Sequence, residues 1–176
     1  MVDRGPAPPT PEAEAPAFGQ HVHLAYGVFV CDGYLAPLAD RQGDRVGIHT
    51  HEDGLIHVHP TAAEATGEGA VLGLFAREVG LVLGDGALTL PGGGRYEHGD
   101  DCAGQPGSLR VLTWDGPDDP SPDVHRQALE QVPVRAERSS IAIVFAPDDA
   151  DVPVPPWSAS LVDPNAAQQG RPPLTV

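Results

Sequence analysis

The feature that most constrains this chain is a strict alternation of side-chain type in two short segments that are rich in histidine. In residues 21–30 the even positions are large apolar residues, whereas His21 and His23 fall on odd positions. Successive side chains of an extended chain point to opposite faces, so a period of two is typical of a β-strand. The segment therefore predicts a strand with an apolar face and a face that begins with two histidines.

Residues 47–59, GIHTHEDGLIHVH, predict a β-hairpin with the same division of faces. The turn signal Asp53-Gly54 separates two alternating runs. A loop with an odd number of residues puts all four histidines on one face and the aliphatic residues on the other, whereas an even number mixes them. Because register follows the buried face, we predict the odd register.

The predicted register gathers histidines from both strands of the hairpin. His51 would oppose His57, and His49 would oppose His59. Neutral imidazoles on a rigid sheet are ligands for divalent transition metals, and we expect zinc or copper, with nickel or iron as alternatives. Three or four of them would bind an ion at once. The candidate ligands are the six histidines of the three H-x-H pairs: His21, His23, His49, His51, His57 and His59.

Acidic residues near these histidines could support such a site. Glu52, Asp53 and Asp32 are candidates for an oxygen ligand or for a hydrogen-bond acceptor that would orient a ligating imidazole. His98 and His125 have no histidine nearby in the sequence, so we predict that they are surface residues. No catalytic residue is predicted.

The pattern predicts a protein that binds a divalent transition-metal ion for buffering, delivery or sensing. A catalytic site would need an open metal position and a nearby acid or base, and a hairpin turn is an exposed place for Glu52 or Asp53. One alternative is a small metal-dependent hydrolase or oxygenase. A second alternative is a module without metal, whose histidines bind a protein partner or sense pH.

Charge restricts the partners that this chain can bind. The net charge is −15, from 25 acidic and 10 basic residues, and every basic residue is arginine. The absence of lysine excludes Schiff-base chemistry and a phosphate-loop lysine. The acidic balance argues against binding to nucleic acid or anionic lipid and favours attraction of cations. No apolar run approaches the roughly 20 residues of a membrane-spanning helix, and the N-terminus has no signal-peptide pattern.

Cys31 and Cys102 are the two cysteines of the chain. Their spacing does not fit a thiolate metal cage, which leaves either one long-range disulfide or two buried thiols. We favour the disulfide, which forms in an oxidising compartment.

Residue composition predicts one domain between two arms. Residues 1–19 are a disordered linker rich in proline, alanine and glutamate, residues 20–146 form one globular domain, and residues 147–176 form a proline-rich arm. The predicted fold is α+β, a mainly antiparallel sheet with one short helix, and the alternative is an all-β sandwich or barrel. Further predicted elements are a helix at 70–79, one or two strands in 81–90, a long loop at 91–107, a strand at 108–114, one or two helical turns in 123–131 and a strand at 140–145.

Several motifs together resemble a family of uncharacterised actinobacterial proteins. They are H-x-H at 21–23, GIHTHEDGLIHVHP at 47–60, LGLF at 72–75, SLRVLTWDGP at 108–117 and SIAIVFAP at 140–147. The resemblance covers about residues 20–163. It implies a domain outside the cytoplasm, because members often carry an N-terminal membrane anchor, and residues 1–19 resemble the linker that would follow one. It implies no activity.

The last predicted elements, a helical turn followed by AERSSIAIVF, are similar to the closing elements of β-grasp proteins. In such a fold the helix at 70–79 would pack on one face of the sheet. The other face would remain for the histidines.

Overall fold

The computed structural model describes residues 15–116, 119–135 and 139–161. The expectations for residues 1–14 and 162–176 lie outside this part of the chain. The predicted division into a linker, one domain and an arm therefore stays a prediction.

The described residues form mainly β-strands, many of them short, and one α-helix. The strands are β1 Val22–Val30, β2 Gly33–Tyr34, β3 Ile48–His49, β4 Leu55–Val58, β5 Val82–Leu83, β6 Ala87–Thr89, β7 Arg95–Glu97, β8 Asp101–Cys102, β9 Gln105–Pro106, β10 Ser108–Trp114, β11 Asp123–His125 and β12 Ser140–Ala146. The helix α1 is Leu72–Val79, and the 3-10 turns are Ala63–Ala65, Gly67–Gly69, Leu129–Gln131 and Pro156–Leu161.

The main sheet has the strand order β11-β10-β12-β1-β4-β3, with β2 also paired to β1. The central strands β1 and β12 are parallel, and the other pairings in this sheet are antiparallel. Two small sheets, β5-β6-β7 and β8-β9, accompany it. These sheets do not close into a barrel within the described residues, and their combination with α1 agrees with the α+β expectation in outline.

The apolar face of the main sheet packs against α1, as its sequence period requires. Leu24 and Tyr26 of β1 are buried in the same core as Phe75 of the helix, and the rings of Tyr26 and Phe75 lie 4.6 Å apart. The helix ends at Val79 and is capped by Gly80, whose φ of 73° allows its amide to reach the carbonyls of the last turn. The predicted helix at 70–79 is confirmed, with its start two residues later.

The predicted hairpin is present, but its register is two residues away from the predicted one. His49 opposes His57, and Ile48 opposes Val58. The shift arises because His51 leaves the hairpin and forms a bridge with Ala39, which lengthens the turn. A shift of two residues preserves the faces, so the aliphatic side chains remain buried against α1 and the histidines remain opposite them.

The expectations for two segments in the second half of the chain are corrected in part. The predicted loop at 91–107 contains the strands β7, β8 and β9. The segment 123–131 contains a predicted helical turn, at Leu129–Gln131, but begins with the strand β11. Strands of two or three residues are too short to show a period of two, so their pairing depends on neighbours such as Phe145, which packs against Tyr96. The expected strands at 108–114 and 140–145 are confirmed.

The disulfide between Cys31 and Cys102 is present and closes a separation of 71 residues. Cys31 directly follows β1, and Cys102 ends β8. The bond therefore ties the small β8-β9 hairpin to the main sheet.

The C-terminal segment 147–161 lies on the sheet face opposite α1. Val152 and Val154 pack with Phe29 and its neighbours, and the Tyr34 hydroxyl donates a hydrogen bond of 2.6 Å to the carbonyl of Pro153. This face is thus covered by the C-terminal segment at the centre of the sheet, and it carries the histidines at one end. Among the described residues no helix has the length and apolar character needed to cross a membrane.

Candidate metal centre

The pairing of three neighbouring strands places histidines side by side. His23 of β1 opposes His57 of β4, and His57 opposes His49 of β3. Residues directly opposite each other on one face have neighbouring side chains, so these three imidazoles form a row across the sheet. The row follows from the alternation in each strand together with the observed register.

His21 and His59 lie next to this row. The amide of His59 donates to the carbonyl of Gly47 over 2.8 Å, which extends the pairing beyond β4. Gly47 has a φ of 84°, and a Cβ there would collide with the backbone of His59. The glycine before the first H-x-H pair of the hairpin therefore permits the close approach that brings His59 beside His49.

The six predicted ligands form one continuous cluster of rings. Neighbouring ring centroids lie between 4.5 and 5.5 Å apart along the closed sequence His23, His21, His59, His49, His51, His57 and back to His23. All six predicted histidines are therefore brought together. Which of them bind a metal stays a prediction.

One group of potential ligands consists of Asp44, His49 and His59, and we call it the inner group. Each residue offers one ligand atom, and these atoms lie within 4.8 Å of one another. Asp44 Oδ1 lies 3.2 Å from His49 Nδ1, and Asp44 Oδ2 lies 3.2 Å from His59 Nε2. The carboxylate thus reaches both imidazoles.

The contact between Asp44 and His49 has the separation of two metal ligands but lacks the geometry of a hydrogen bond. Asp44 Oδ1 and His49 Nδ1 are both buried without a hydrogen-bond partner among the described residues. Two donors bound about 2.0 Å from a tetrahedral ion are about 3.3 Å apart, which is close to the observed 3.2 Å. An ion between them would satisfy both atoms.

Burial keeps His49 in the form that binds metals. The residue is 6% exposed. Burial lowers the pKa of His49, the Asp44 carboxylate partly opposes this effect, and three neighbouring imidazoles lower the pKa further. The imidazole is therefore neutral at neutral pH, and a lone pair is available for an ion.

A second group consists of His21, His23 and His57, and we call it the outer group. Its three ligand atoms also lie within 4.8 Å of one another. His21 is exposed, and the other two histidines are partly buried. The outer group is therefore reachable from solvent at His21, whereas the inner group is buried at His49 and partly exposed at Asp44 and His59.

Asp53 orients the central histidine of the outer group. Its Oδ2 lies 2.8 Å from His57 Nε2, and its Oδ1 accepts a hydrogen bond of 3.0 Å from the amide of Leu55. Burial raises the pKa of Asp53, but these hydrogen bonds outweigh it and hold the pKa below its usual range. When the carboxylate accepts a hydrogen bond from the Nε2–H of His57, the Nδ1 of His57 is left as the metal-binding nitrogen.

His51 lies between the two groups and belongs to neither. Its Nε2 is 3.1 Å from His49 Nε2, so one of the two nitrogens donates a hydrogen bond to the other. The residue is exposed, because the chain turns away at this point to bridge Ala39. His51 can thus orient His49, or it can become a ligand after a small movement.

The acidic residues predicted near the histidines have different positions. Asp53 has the orienting contact described above, and Glu52 is exposed in the turn with a φ of 62°. Asp32 follows the far end of β1, so roughly 30 Å of extended strand separates it from His21 and His23. The expectation that Asp32 supplies an oxygen ligand is therefore wrong.

Asp44 is the residue that sequence reasoning missed. It lies in the loop before β3, where no period of two indicates a facing direction. Asp40 accepts hydrogen bonds from the amides of Gln42 and Gly43, and this turn directs Asp44 toward the histidines. The available signal was an acidic residue in the loop that leads directly into the first H-x-H pair of the hairpin.

The remaining two histidines lie outside the cluster. His98 is exposed, and its Nδ1 accepts a hydrogen bond of 3.0 Å from the amide of Leu109. His125 is partly buried, and its Nε2 lies 3.0 Å from the hydroxyl of Thr113. Both have local structural contacts, so they serve as controls for the clustered histidines.

Three comparisons with known proteins found no match: a scan against protein-family models, a search of curated proteins and a search of solved structures. The resemblance to the actinobacterial family therefore stays a prediction. The histidine cluster has to be interpreted from its own geometry.

Proposed function

We propose that this protein binds a divalent transition-metal ion through the inner group, for buffering, delivery or sensing of the ion. The observation that carries the proposal is the buried pair of atoms Asp44 Oδ1 and His49 Nδ1, which lie at the separation of two metal ligands without a hydrogen bond. His59 supplies the third ligand atom. Two imidazoles and one carboxylate are a donor set that suits zinc, and copper, nickel and iron also accept it.

Binding is favoured over catalysis by the positions of the nearby acids. Both oxygens of Asp53 are engaged, one by His57 and one by the Leu55 amide. Glu52 is exposed in the turn. A general base has to be free to take a proton from a reacting group, so Asp53 is better suited to orient an imidazole.

Two further proposals concern the type of fold and the cellular location of the protein. We propose a β-grasp-like arrangement, supported by the parallel central pair β1 and β12 and by the helix packed on one sheet face. We also propose a location outside the cytoplasm, supported by the Cys31–Cys102 disulfide, because such bonds persist in oxidising compartments.

Elemental analysis of untagged protein, purified without chelators, tests the metal proposal. We expect zinc, copper, nickel or iron in near-stoichiometric amount, with the inner ion lost in His49→Ala and retained in His125→Ala. The second variant is a matched control, because it removes a histidine that lies outside the cluster. A protein without bound metal, and without a thermal shift when these ions are added, would contradict the proposal and favour a protein-interaction or pH-sensing surface.

A further inference from the structure

We infer that the histidine cluster holds two ions at once, and that the outer group is a second, exchangeable metal site with an open coordination position. This inference rests on the proposed function of the inner group. It goes beyond that function, because it assigns a separate role to His21, His23 and His57.

The first support is that the two groups share no residue. Each offers three ligand atoms within 4.8 Å, which is a sufficient set of protein ligands for a zinc ion. Their rings are adjacent: His49 is stacked on His57 with centroids 5.4 Å apart, and His21 lies 5.5 Å from His59. Both sites can therefore hold an ion at the same time, because no residue has to serve as a ligand for both.

The second support is the difference in burial and donor type. The inner group contains a carboxylate and the buried His49, so it offers negative charge together with one ligand that solvent does not reach. The outer group contains three imidazoles, and its member His21 is exposed. Three protein ligands at a solvent-facing position leave room for water or another small ligand, which is the arrangement of an open zinc site. We therefore expect the outer ion to exchange faster than the inner ion.

The third support is the contact that orients His57. Asp53 Oδ2 lies 2.8 Å from His57 Nε2, which leaves Nδ1 available to an ion. Each proposed ion thus has one carboxylate close to it, Asp44 at the inner site and Asp53 at the outer site. These negative charges, together with the net charge of −15, reduce the repulsion between two neighbouring cations.

Titration of the full chain with zinc in competition with a chromophoric chelator tests the stoichiometry. We expect two ions in the native protein and in His125→Ala, one in His21→Ala and one in His49→Ala. Asp44→Asn is a second inner-site variant that preserves side-chain volume, in case His49→Ala fails to fold. A native stoichiometry of one would overturn the two-site inference. The proposed function would still stand if this single ion is lost in the inner-site variants alone, or in both the inner-site and the outer-site variants. A stoichiometry of zero would overturn both.

Cobalt(II) substitution tests the open position. We expect azide to shift the visible absorption of cobalt in His49→Ala, which removes the buried ligand of the inner site, and to leave the absorption of His21→Ala unchanged. An azide shift in His21→Ala alone, or in neither variant, would overturn the assignment of the open position to the outer group.

Asp53→Asn tests the positioning role of Asp53. The amide oxygen can still accept from Leu55, but the amide NH₂ then faces His57 Nε2 and favours the tautomer with the proton on Nδ1. We expect the outer-site affinity to fall by roughly 10- to 100-fold, with inner-site affinity unchanged. The ¹⁵N shifts of the His57 ring report the tautomer directly, and an unchanged tautomer together with unchanged affinity would overturn this role.

Discussion

His49 has a buried ring nitrogen without a hydrogen bond, and the same nitrogen is a potential metal ligand. Its Nδ1 and the facing Oδ1 of Asp44 are buried without hydrogen bonds among the described residues, and an unsatisfied buried polar group costs about 1–3 kcal/mol. Nearly all buried polar atoms in proteins have a partner. An ion between the two atoms would remove this cost, so metal binding and folding stability should be linked at this residue.

Asp44→Asn should weaken zinc binding at the inner site by at least about tenfold, because it removes the negative charge that the ion neutralises. Competition with a chelator measures this affinity. Asp32→Asn is the matched control, since it makes the same chemical change at the far end of β1, where no effect is expected. Equal affinities in the two variants would exclude Asp44 as a ligand.

The hairpin of β3 and β4 depends on a turn in which Gly54 leaves no room for a side chain. Gly54 has a φ of 78°, and a Cβ at this position would overlap the side chain of Trp157. Glu52 also has a left-handed φ, of 62°. The turn that positions Asp53 therefore depends on two left-handed backbone conformations, at Glu52 and Gly54, and on the contact of Gly54 with Trp157 of the C-terminal segment.

Gly54→Ala should lower the free energy of unfolding by about 2 kcal/mol or more, from backbone strain together with overpacking. Urea denaturation measures the change. Gly92→Ala is the control, because a Cβ there meets no atom within 4 Å. Combining Gly54→Ala with Trp157→Ala should relieve the overpacking part alone, and a double variant with strictly additive effects would contradict the predicted overlap.

Tyr26 of β1 contacts the loop before β3, and its burial predicts a loss of stability at alkaline pH. Burial raises the pKa of Tyr26 from 10.0 to about 12, with smaller opposing effects from hydrogen bonds. Its hydroxyl accepts a hydrogen bond of 2.8 Å from the amide of Leu38 and donates one of 3.2 Å to the carbonyl of the same residue. The neutral phenol is the form that fits this position.

Because the folded-state pKa of Tyr26 lies above its unfolded value, the contribution to stability is complete below pH 10 and is lost as pH rises through about 12. The full loss is about 3 kcal/mol. Urea denaturation between pH 9 and 11.5 should show falling stability, with a shallower slope in Tyr26→Phe. Some slope remains in the variant, because burial also raises the pKa of Tyr34. Identical slopes in both proteins would contradict the prediction.

Across the whole molecule, the disulfide and the histidine cluster occupy opposite ends of β1. Cys31 follows the last residue of the strand, and His21 precedes the first. The two features can therefore be perturbed separately. The disulfide contributes to stability by restricting the unfolded chain, whereas the cluster binds ions through local geometry.

Cys31→Ser combined with Cys102→Ser should lower the free energy of unfolding by roughly 4 kcal/mol in the chain-entropy model, given the separation of 71 residues. Denaturation with and without a reductant measures this change. Zinc stoichiometry at low temperature should stay the same in the folded variant, because the bond lies far from the ligands. A loss of zinc binding by the folded variant would show that the two ends of β1 are coupled.

The sequence predicted the faces of the histidine strands well, because facing direction is a local property of extended chain. His23, His49 and His57 share one face through period two alone, and a register error of two residues did not change that result. The position of the short strands β7 to β9 could not be predicted. Their pairing depends on distant partners rather than on their own pattern.

The sequence by itself determined the hairpin, the apolar faces of the strands and the histidine faces opposite them, since each follows from alternation within a few residues. The pairing of β1 with β4, which joins His21 and His23 to the other four histidines, is a tertiary contact that no local pattern encodes. Only the tertiary structure decided that Asp44 joins His49 and His59, and that His51 stays outside both groups. The loop before β3 is held by α1: the amide of Arg41 donates to the Glu78 carbonyl over 2.9 Å. The amide of Arg45 donates to the Glu78 carboxylate over 3.4 Å. These contacts span more than 30 residues of chain, and no local period encodes where such a loop will place its carboxylate.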